Sequence, residues 1–412
     1  MHWGRLSGKS RWVNGEDVVG DNVVTDEVVT NEYRWTPECQ RGRLLVVKKA
    51  LRERDVIDAL RDAFPDAGIG DDAAVLPRMG RAVLFATDAV VEGIHFRREF
   101  STLSQAIQKL ITSNVSDIYA MGGIPSSILF TAGLPKGCSR VEVGQIIEGL
   151  KEGCDVYGMN LAGGDTVLSA GGFFFNLAIL GEVGGRGAVS RSGASEGDSL
   201  VLFGECGASL TGYSILAVLG GAEVMDLPLH GLPGKKPLAD IQELLARLSL
   251  SSGAREIEEL CSGLDDAVTW RDVLMLIKHH LVPLARPLDL SLLEAEPPVV
   301  SAMIDISDGL ARDLATLCRE SGVGASVEEA SIPIPGWLRR WVPPEGDSLT
   351  NLVLSSGEEY ILLASMRGVG RGVEPQGGTV IGKIVSATEG VTLVSRDGER
   401  RQIPEGGYEH IF

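Results

Sequence analysis

Ala302-Met-Ile-Asp305-Ile-Ser307-Asp308-Gly309-Leu310 reads as a short apolar strand that runs into carboxylates, followed from Leu310 to Glu320 by a helix that stops at Gly322. Ser307 or Asp308 can cap that helix, as small polar side chains commonly do. A cap leaves Asp305 unexplained, because a carboxylate inside an apolar strand costs free energy unless it is paired or metal-bound.

The same pattern of strand, long helix and strand recurs on either side. Upstream, the periodicity predicts a helix over 47–63, a strand over 82–87, a helix over 102–121, strands over 126–133 and 173–183, and a helix over 140–156. A second unit begins near 187, with a strand over 199–204, a helix over 209–219, helical segments within 238–300, and strands near 352–365 and 378–385. The expectation is an α+β protein of two domains, 46–186 and 187–412, with mixed sheets flanked by helices. Residues 221–270 read as an insertion, and 1–45 as a peripheral extension whose near-repeat of five residues fits neither helix nor strand.

Further acidic words lie along this frame: Gly-Ile-Gly-Asp71-Asp72, Ala-Thr87-Asp88, Asn114-Val-Ser-Asp117, Gly163-Gly164-Asp165-Thr166 and Gly357-Glu358-Glu359-Tyr360. Most sit at the edge of an apolar run. A carboxylate beside glycine or a small hydroxyl residue approaches a hard divalent cation closely, and Mg2+ takes oxygen donors rather than thiols or imidazoles. The chain therefore reads as a Mg-dependent phosphate enzyme.

Composition narrows the class. With 38 Lys plus Arg against 56 Asp plus Glu, the net charge of −18 repels a nucleic-acid backbone. Six cysteines, at 39, 138, 154, 206, 261 and 318, show neither zinc spacing nor a Cys-x-x-Cys pair, as expected of reduced thiols in a cytoplasmic protein. Residues 118–135 carry no charge, but Gly122, Gly123, Pro125, Ser126 and Ser127 break the run into a helix end, a turn and a strand rather than a membrane span. No apolar signal-peptide core follows the N-terminal basic residues.

Each word has a plainer alternative. Asp117 lies near a helix C-terminus, where the dipole disfavours an anion; it is either a solvated residue at a fraying end or a functional one, sharing a face with Asn114. His95 is a core histidine or a substrate contact near Asp88. Gly163-Gly164-Asp165-Thr166 is an ordinary turn or a phosphate approach. Arg191 in Ser190-Arg191-Ser192-Gly193 is a surface charge or a phosphate ligand. Two imitations fail: Gly4 to Ser10 is one residue short of a P-loop, and Gly68-x-Gly70-x-x-Ala73 is followed by a strand rather than the helix of a dinucleotide site.

Together with Thr87-Asp88-x-x-Val91-Glu92-Gly93-x-His95-Phe96, these words in this order resemble the thiamine-monophosphate kinase family over about 55–412 outside the insertion. The resemblance implies an aminoimidazole ribonucleotide synthetase-like fold and a homodimer, and transfer of the γ-phosphoryl group of ATP to thiamine monophosphate with several Mg2+ ions. It implies no protein nucleophile. Position by position, it gives Asp72, Thr87, Asp88, Asp117, Asp165 and Asp305 to the metals, and Asp308 to an outer ion. Gly164, Asp165, Arg191 and Ser307 fall to the ATP phosphates, and His95, Glu358 and Tyr408 to thiamine monophosphate. Ala86 departs from a serine common in the family, and Glu359 from an aspartate. Two rivals stand beside this reading: another ATP-dependent synthetase of the same superfamily, and a non-catalytic module that binds nucleotide or metal. The first lacks a cysteine in the tail Tyr408 to Phe412, and Cys39 lies outside any glycine-rich arm. The second lacks the regular ligand spacing of Ca2+ loops.

Overall fold

A computed structural model describes residues 53–404, with gaps at 64–70, 79–80, 185, 220–241, 243–244, 263–266, 337, 339–347, 371–372 and 374. The extension 1–45, Tyr408 and the first part of the expected insertion lie outside the described residues. Helix α1 (Glu53–Ala63) precedes a sheet of β1 (Ala74–Arg78), β2 (Arg81–Val91), β3 (Gly123–Pro135), β4 (Asn160–Ser169) and β5 (Phe174–Val183). Its order is β1-β2-β5-β3-β4, antiparallel except for the parallel pair β3 and β4.

Helices α2 (Leu103–Ala120) and α3 (Arg140–Tyr157) flank β3 in sequence. Thr102 and Gln105 start α2 with a capping box: each side chain accepts from the other's backbone N–H, at 3.1 and 3.0 Å. Ile107, Leu110, Ile111, Val115 and Ile118 repeat at helical spacing and are fully buried with Leu84, Leu177 and Ile179 of the sheet. Burying each such side chain contributes roughly 1.5–3 kcal/mol. Close approach needs glycine: a Cβ on Gly181 would lie 2.6 Å from Ile118, and one on Gly149 of α3 would lie 2.5 Å from the Ser104 carbonyl. The helix ends where expected, and the charge-free stretch divides into the last turn of α2, a turn at Gly122 with φ of +71°, and β3.

The second sheet contains β6 (Ser199–Phe203), β7 (Val300–Asp305), β8 (Gly324–Glu328), β9 (Leu362–Met366), β10 (Thr379–Val385), β11 (Val391–Val394) and β12 (Arg400–Gln402). The order is β12-β11-β8-β10-β6-β9-β7, antiparallel except for β8 beside β11. Strand alternation divides its side chains between two cores. Leu200, Leu202, Ala302, Ile304 and Leu363 join helices α4 (Ala208–Leu219), α5 (Ala254–Cys261), α6 (Ala267–Leu281), α8 (Leu310–Ser321) and α9 (Ser348–Ser355), with a short α7 (Leu290–Leu293) before β7. Val201, Met303, Leu362, Ala364 and Met366 face the other way and share a core with α2 and the first sheet. Helix α2 thus lies between two mixed sheets flanked by helices, the α+β architecture expected.

Two expectations change. The strand over 352–365 begins only at Leu362; Leu349, Leu352 and Val353 repeat at helical spacing and lie in α9. Gly163-Gly164-Asp165-Thr166 lies inside β4, not in a turn: the register slips between Ile128 and Leu129, and a Cβ on Gly164 would lie 1.8 Å from the Phe130 carbonyl. Strand packing at this position requires a glycine. The described part of 221–270, expected as an insertion, packs into the core through Leu245, Leu248, Leu250, Ile257 and Trp270, and Gln105 donates to the carbonyls of Leu245 and Leu248 at 2.6 and 2.9 Å.

Candidate active site

Three carboxylates from three separate segments meet where the two sheets approach α2. Asp72 comes from the segment before β1, Asp117 from the last turn of α2, and Asp305 from the end of β7; one ligand oxygen of each lies within 4.8 Å of the others. Asp305 is 2% exposed, and its Oδ2 accepts from Ser116 Oγ at 2.6 Å. Asp88, on the α2 side of β2, is hydrogen-bonded by Ser113. Ser113, Ser116 and Asp117, at i, i+3 and i+4, thus share one face of α2.

The electrostatics oppose ionisation. Burial raises the pKa of Asp117 well above the usual carboxylate range, and Asp88, Asp305 and Asp72 raise it further. Asp305 is raised well above the range by burial and then by Asp72; Asp88 is also raised, by burial with a smaller contribution from Asp72. Arg191 supplies compensating charge. Its guanidinium makes a fork onto both carboxylate oxygens of Asp72, with Nε to Oδ2 at 2.9 Å. Burial works against that charge, but Asp72, Asp305 and Asp117 together hold the arginine pKa above its ordinary value. Asp71 fixes the arginine's segment by accepting from Arg191 N at 2.7 Å and from Ser190 Oγ at 2.8 and 3.0 Å.

The turn after Asp305 is built differently from either capping expectation. Neither Ser307 nor Asp308 caps α8; Gly309, with φ of +119°, is the N-cap and has no side chain to contribute. Asp313 reaches back instead, its Oδ2 accepting from the N–H groups of Ser307, Asp308 and Gly309 at 3.0, 3.1 and 3.1 Å. Glu358 and Tyr360 have φ of +56° and +51°, rarely populated without glycine. Bonds from Glu358 N to Ser307 O (2.7 Å) and from Tyr360 N to Ile306 O (2.8 Å) hold them there. Tyr360 is buried; burial and then Glu358, Asp88, Asp305 and Asp117 raise its pKa well above the usual phenol value.

Not every expected residue joins this centre. Thr87 is exposed on the face of β2 opposite Asp88, with Oγ1 donating to Leu177 O at 3.0 Å. Gly164 and Asp165 lie on the edge strand β4, where Asp165 is exposed and accepts from Thr166 N at 2.8 Å. Half-exposed Asp308 pairs with Arg312 at 3.3 Å and is not one of the three grouped carboxylates. His95 accepts from Val91 N at 3.1 Å in the turn after β2. Asn114 turns its amide onto Leu110 O at 2.9 Å, and its buried Oδ1 has no partner, so Ser113 and Ser116 make the carboxylate contacts. The sequence words contain Ser116 and Tyr360 without giving them a role, and they leave out Ser113 and Asp313. The i, i+3 spacing of polar residues on α2 links Ser113 to Ser116.

Residues 70–183 match the family described as AIR synthase related protein, N-terminal domain, and residues 278–392 match its C-terminal domain. The thiamine-monophosphate kinase of Leptospira interrogans is 31% identical over 363 residues, covering 88% of this chain and 98% of the relative. The chain belongs to the thiamine-monophosphate kinase family. The family's Escherichia coli K12 enzyme is 29% identical over 354 residues, covering 84% of this chain and 92% of its own. A solved structure, AaThiL complexed with AMPPCP and TMP, superposes with a TM-score of 0.68 at 25% identity, covering 88% of this chain and 99% of that one. The two-domain aminoimidazole ribonucleotide synthetase-like fold is common to both.

The grouped side chains suit Mg2+. Asp72, Asp117 and Asp305 offer hard oxygens alone, with no thiol or imidazole among them, and Arg191 sets positive charge directly on Asp72.

Proposed function

We propose that this protein transfers the γ-phosphoryl group of ATP to the phosphate of thiamine monophosphate, giving thiamine diphosphate. The observation that carries the reading is the meeting of Asp72, Asp117 and Asp305 within 4.8 Å, in a family member whose words keep their order. Asp72, Asp88, Asp117 and Asp305 would hold Mg2+, with Asp308 at an outer ion, and the bound ions would screen the phosphates and stabilise charge in the transferred group.

The chain's own groups position the reactants. Arg191 sits at the carboxylate group with a planar fork that also matches phosphate oxygens. Asp313 holds the backbone of Ser307 so that this residue can meet the nucleotide phosphates. Gly164 and Asp165 contribute from β4, and Thr87 through its backbone, since its hydroxyl is turned away. His95, Glu358 and Tyr408 contact thiamine monophosphate. A loose phosphoryl-transfer transition state needs alignment more than a protein nucleophile, so transfer is direct.

The reading includes a cytoplasmic homodimer. The first sheet and its edge strand expose Val91, Ile124, Leu129, Leu161, Val167 and Leu168, at 37–77% of their surface, on the side away from α2 or at the open edge. A second copy would cover this apolar area. No helix among the described residues is long and apolar enough to cross a membrane.

The test is the product. Purified protein with ATP, Mg2+ and thiamine monophosphate should form thiamine diphosphate, with initial-rate lines that intersect and no labelled protein from ATP alone. Absence of thiamine diphosphate overturns the reading; a labelled protein band chased by thiamine monophosphate overturns direct transfer.

A further inference from the structure

Lys109, on α2, is 5% exposed, and its Nζ lies 2.6 Å from Glu358 Oε2. The same oxygen is 3.4 Å from Nδ1 of His280, on α6. Both contacts fall on Oε2; among the described residues, Oε1 takes no hydrogen bond, and the Glu358 side chain is 33% exposed. One oxygen is tied down and the other is open.

The surroundings concentrate this arrangement on one charge. Burial, and then Lys109, hold the His280 pKa well below its ordinary value, which opposes a second positive charge beside Oε2. Glu358 already occupies a left-handed backbone conformation, a state that persists where neighbouring bonds enforce it and that gathers at functional positions. A buried ammonium is costly without a partner, so Lys109 fixes the carboxylate as firmly as the carboxylate fixes Lys109. Lys109 also precedes Ser116 by seven residues on the same helix, about 10 Å along its axis. The helix that presents Ser116 and Asp117 to the carboxylate group therefore also carries the anchor of Glu358.

We propose that Lys109 is a positioning residue for the phosphoryl acceptor: it holds Glu358 Oε2 so that Oε1 is aimed at a hydrogen-bond donor of the substrate, at a distance from the transfer centre set by α2. This rests on the reading above that Glu358 contacts thiamine monophosphate.

Lys109→Met, Glu358→Gln and the double variant are compared with the wild type by steady-state kinetics. Lys109→Met should raise KM for thiamine monophosphate about tenfold or more while moving kcat and the KM for ATP by less than about threefold, the pattern of lost acceptor binding. In the Glu358→Gln background the Lys109 substitution should add nothing, because the two act as a unit. Lys109→Arg, which keeps the charge, should recover part of the loss. An unchanged KM in Lys109→Met, or its full effect in the Glu358→Gln background, overturns the proposal. If Lys109→Met does not fold, Glu358→Gln against the double variant decides: equal KM values support the proposal, and a further rise overturns it. A wild-type protein that makes no thiamine diphosphate overturns the substrate assignment and this proposal with it; an active wild type with an unaltered Lys109→Met overturns this proposal alone.

Discussion

Helices α2 and α3 are each 18 residues long, and each starts with a capping box, yet they use their polar residues in opposite ways. Helix α3 buries only Ile146, Gly149, Leu150 and Gly153 and leaves its charges in water, where Glu142 serves the cap and pairs with Arg98 at 2.6 Å. Helix α2 is enclosed between the first sheet, α3 and the second sheet, so every polar residue on it must find a protein partner or bear a desolvation cost. Gln105, Lys109, Thr112 and Ser116 find partners in the second half of the chain. Asp117 meets other carboxylates. The lesson is that burial, rather than residue type, turns a polar helical face into a site.

The contrast is broken most sharply at the end of α2. Asp117→Asn and Asp305→Asn should each lower kcat by about 100-fold or more, the scale expected when a main electrostatic contact to the transition state is lost. Near-normal rates in folded variants would make these residues structural. The same Asp117→Asn protein should be more stable than wild type at neutral pH without metal. Burial and like charge raise the folded pKa of Asp117, so its carboxylate costs stability as pH rises above the unfolded value near 3.8. Glu142 on α3 has the opposite sign: the bonds of its cap, led by the Ser139 backbone, lower its pKa, so its contribution is present above the unfolded value near 4.5 and lost as pH falls. Melting curves from pH 3 to 8 for Asp117→Asn and Glu142→Gln should therefore shift in opposite directions at neutral pH. Shifts of the same sign would remove the distinction.

Two glycines on α3 test the packing side. Gly149→Ala places a Cβ 2.5 Å from the Ser104 carbonyl and should destabilise by roughly 1–3 kcal/mol in denaturant titration. Gly144→Ala meets nothing within 4 Å and should stabilise by about 0.5–1 kcal/mol, because alanine suits a helix interior better. Equal effects at the two positions would mean that α3 does not pack on α2 as described.

Much of the fold was legible because its longest elements are strongly periodic and well punctuated: α2 runs from the Thr102 cap to Gly122, and β5 alternates cleanly. Strands β8, β11 and β12, of three to five residues, are too short for a period to register. Strand β4 was hidden by its own glycines, which read as a turn until the partner carbonyl above Gly164 is known. Within the site, Asp72, Asp117 and Asp305 stood out because carboxylates beside apolar runs break a local rule. Lys109 and Asp313 did not, because a charge at helical spacing looks like any solvated face. The conformation of the turn before α8 shows that Asp313 turns back onto three backbone N–H groups, and tertiary packing shows that Lys109 is enclosed.

Metal dependence of the phosphoryl transfer tests the central claim most directly. Protein stripped with a chelator should form no thiamine diphosphate from ATP and thiamine monophosphate, and added Mg2+ should restore turnover, with the Asp305→Asn variant restored far less at the same concentration. Full turnover in metal-free buffer would contradict the account.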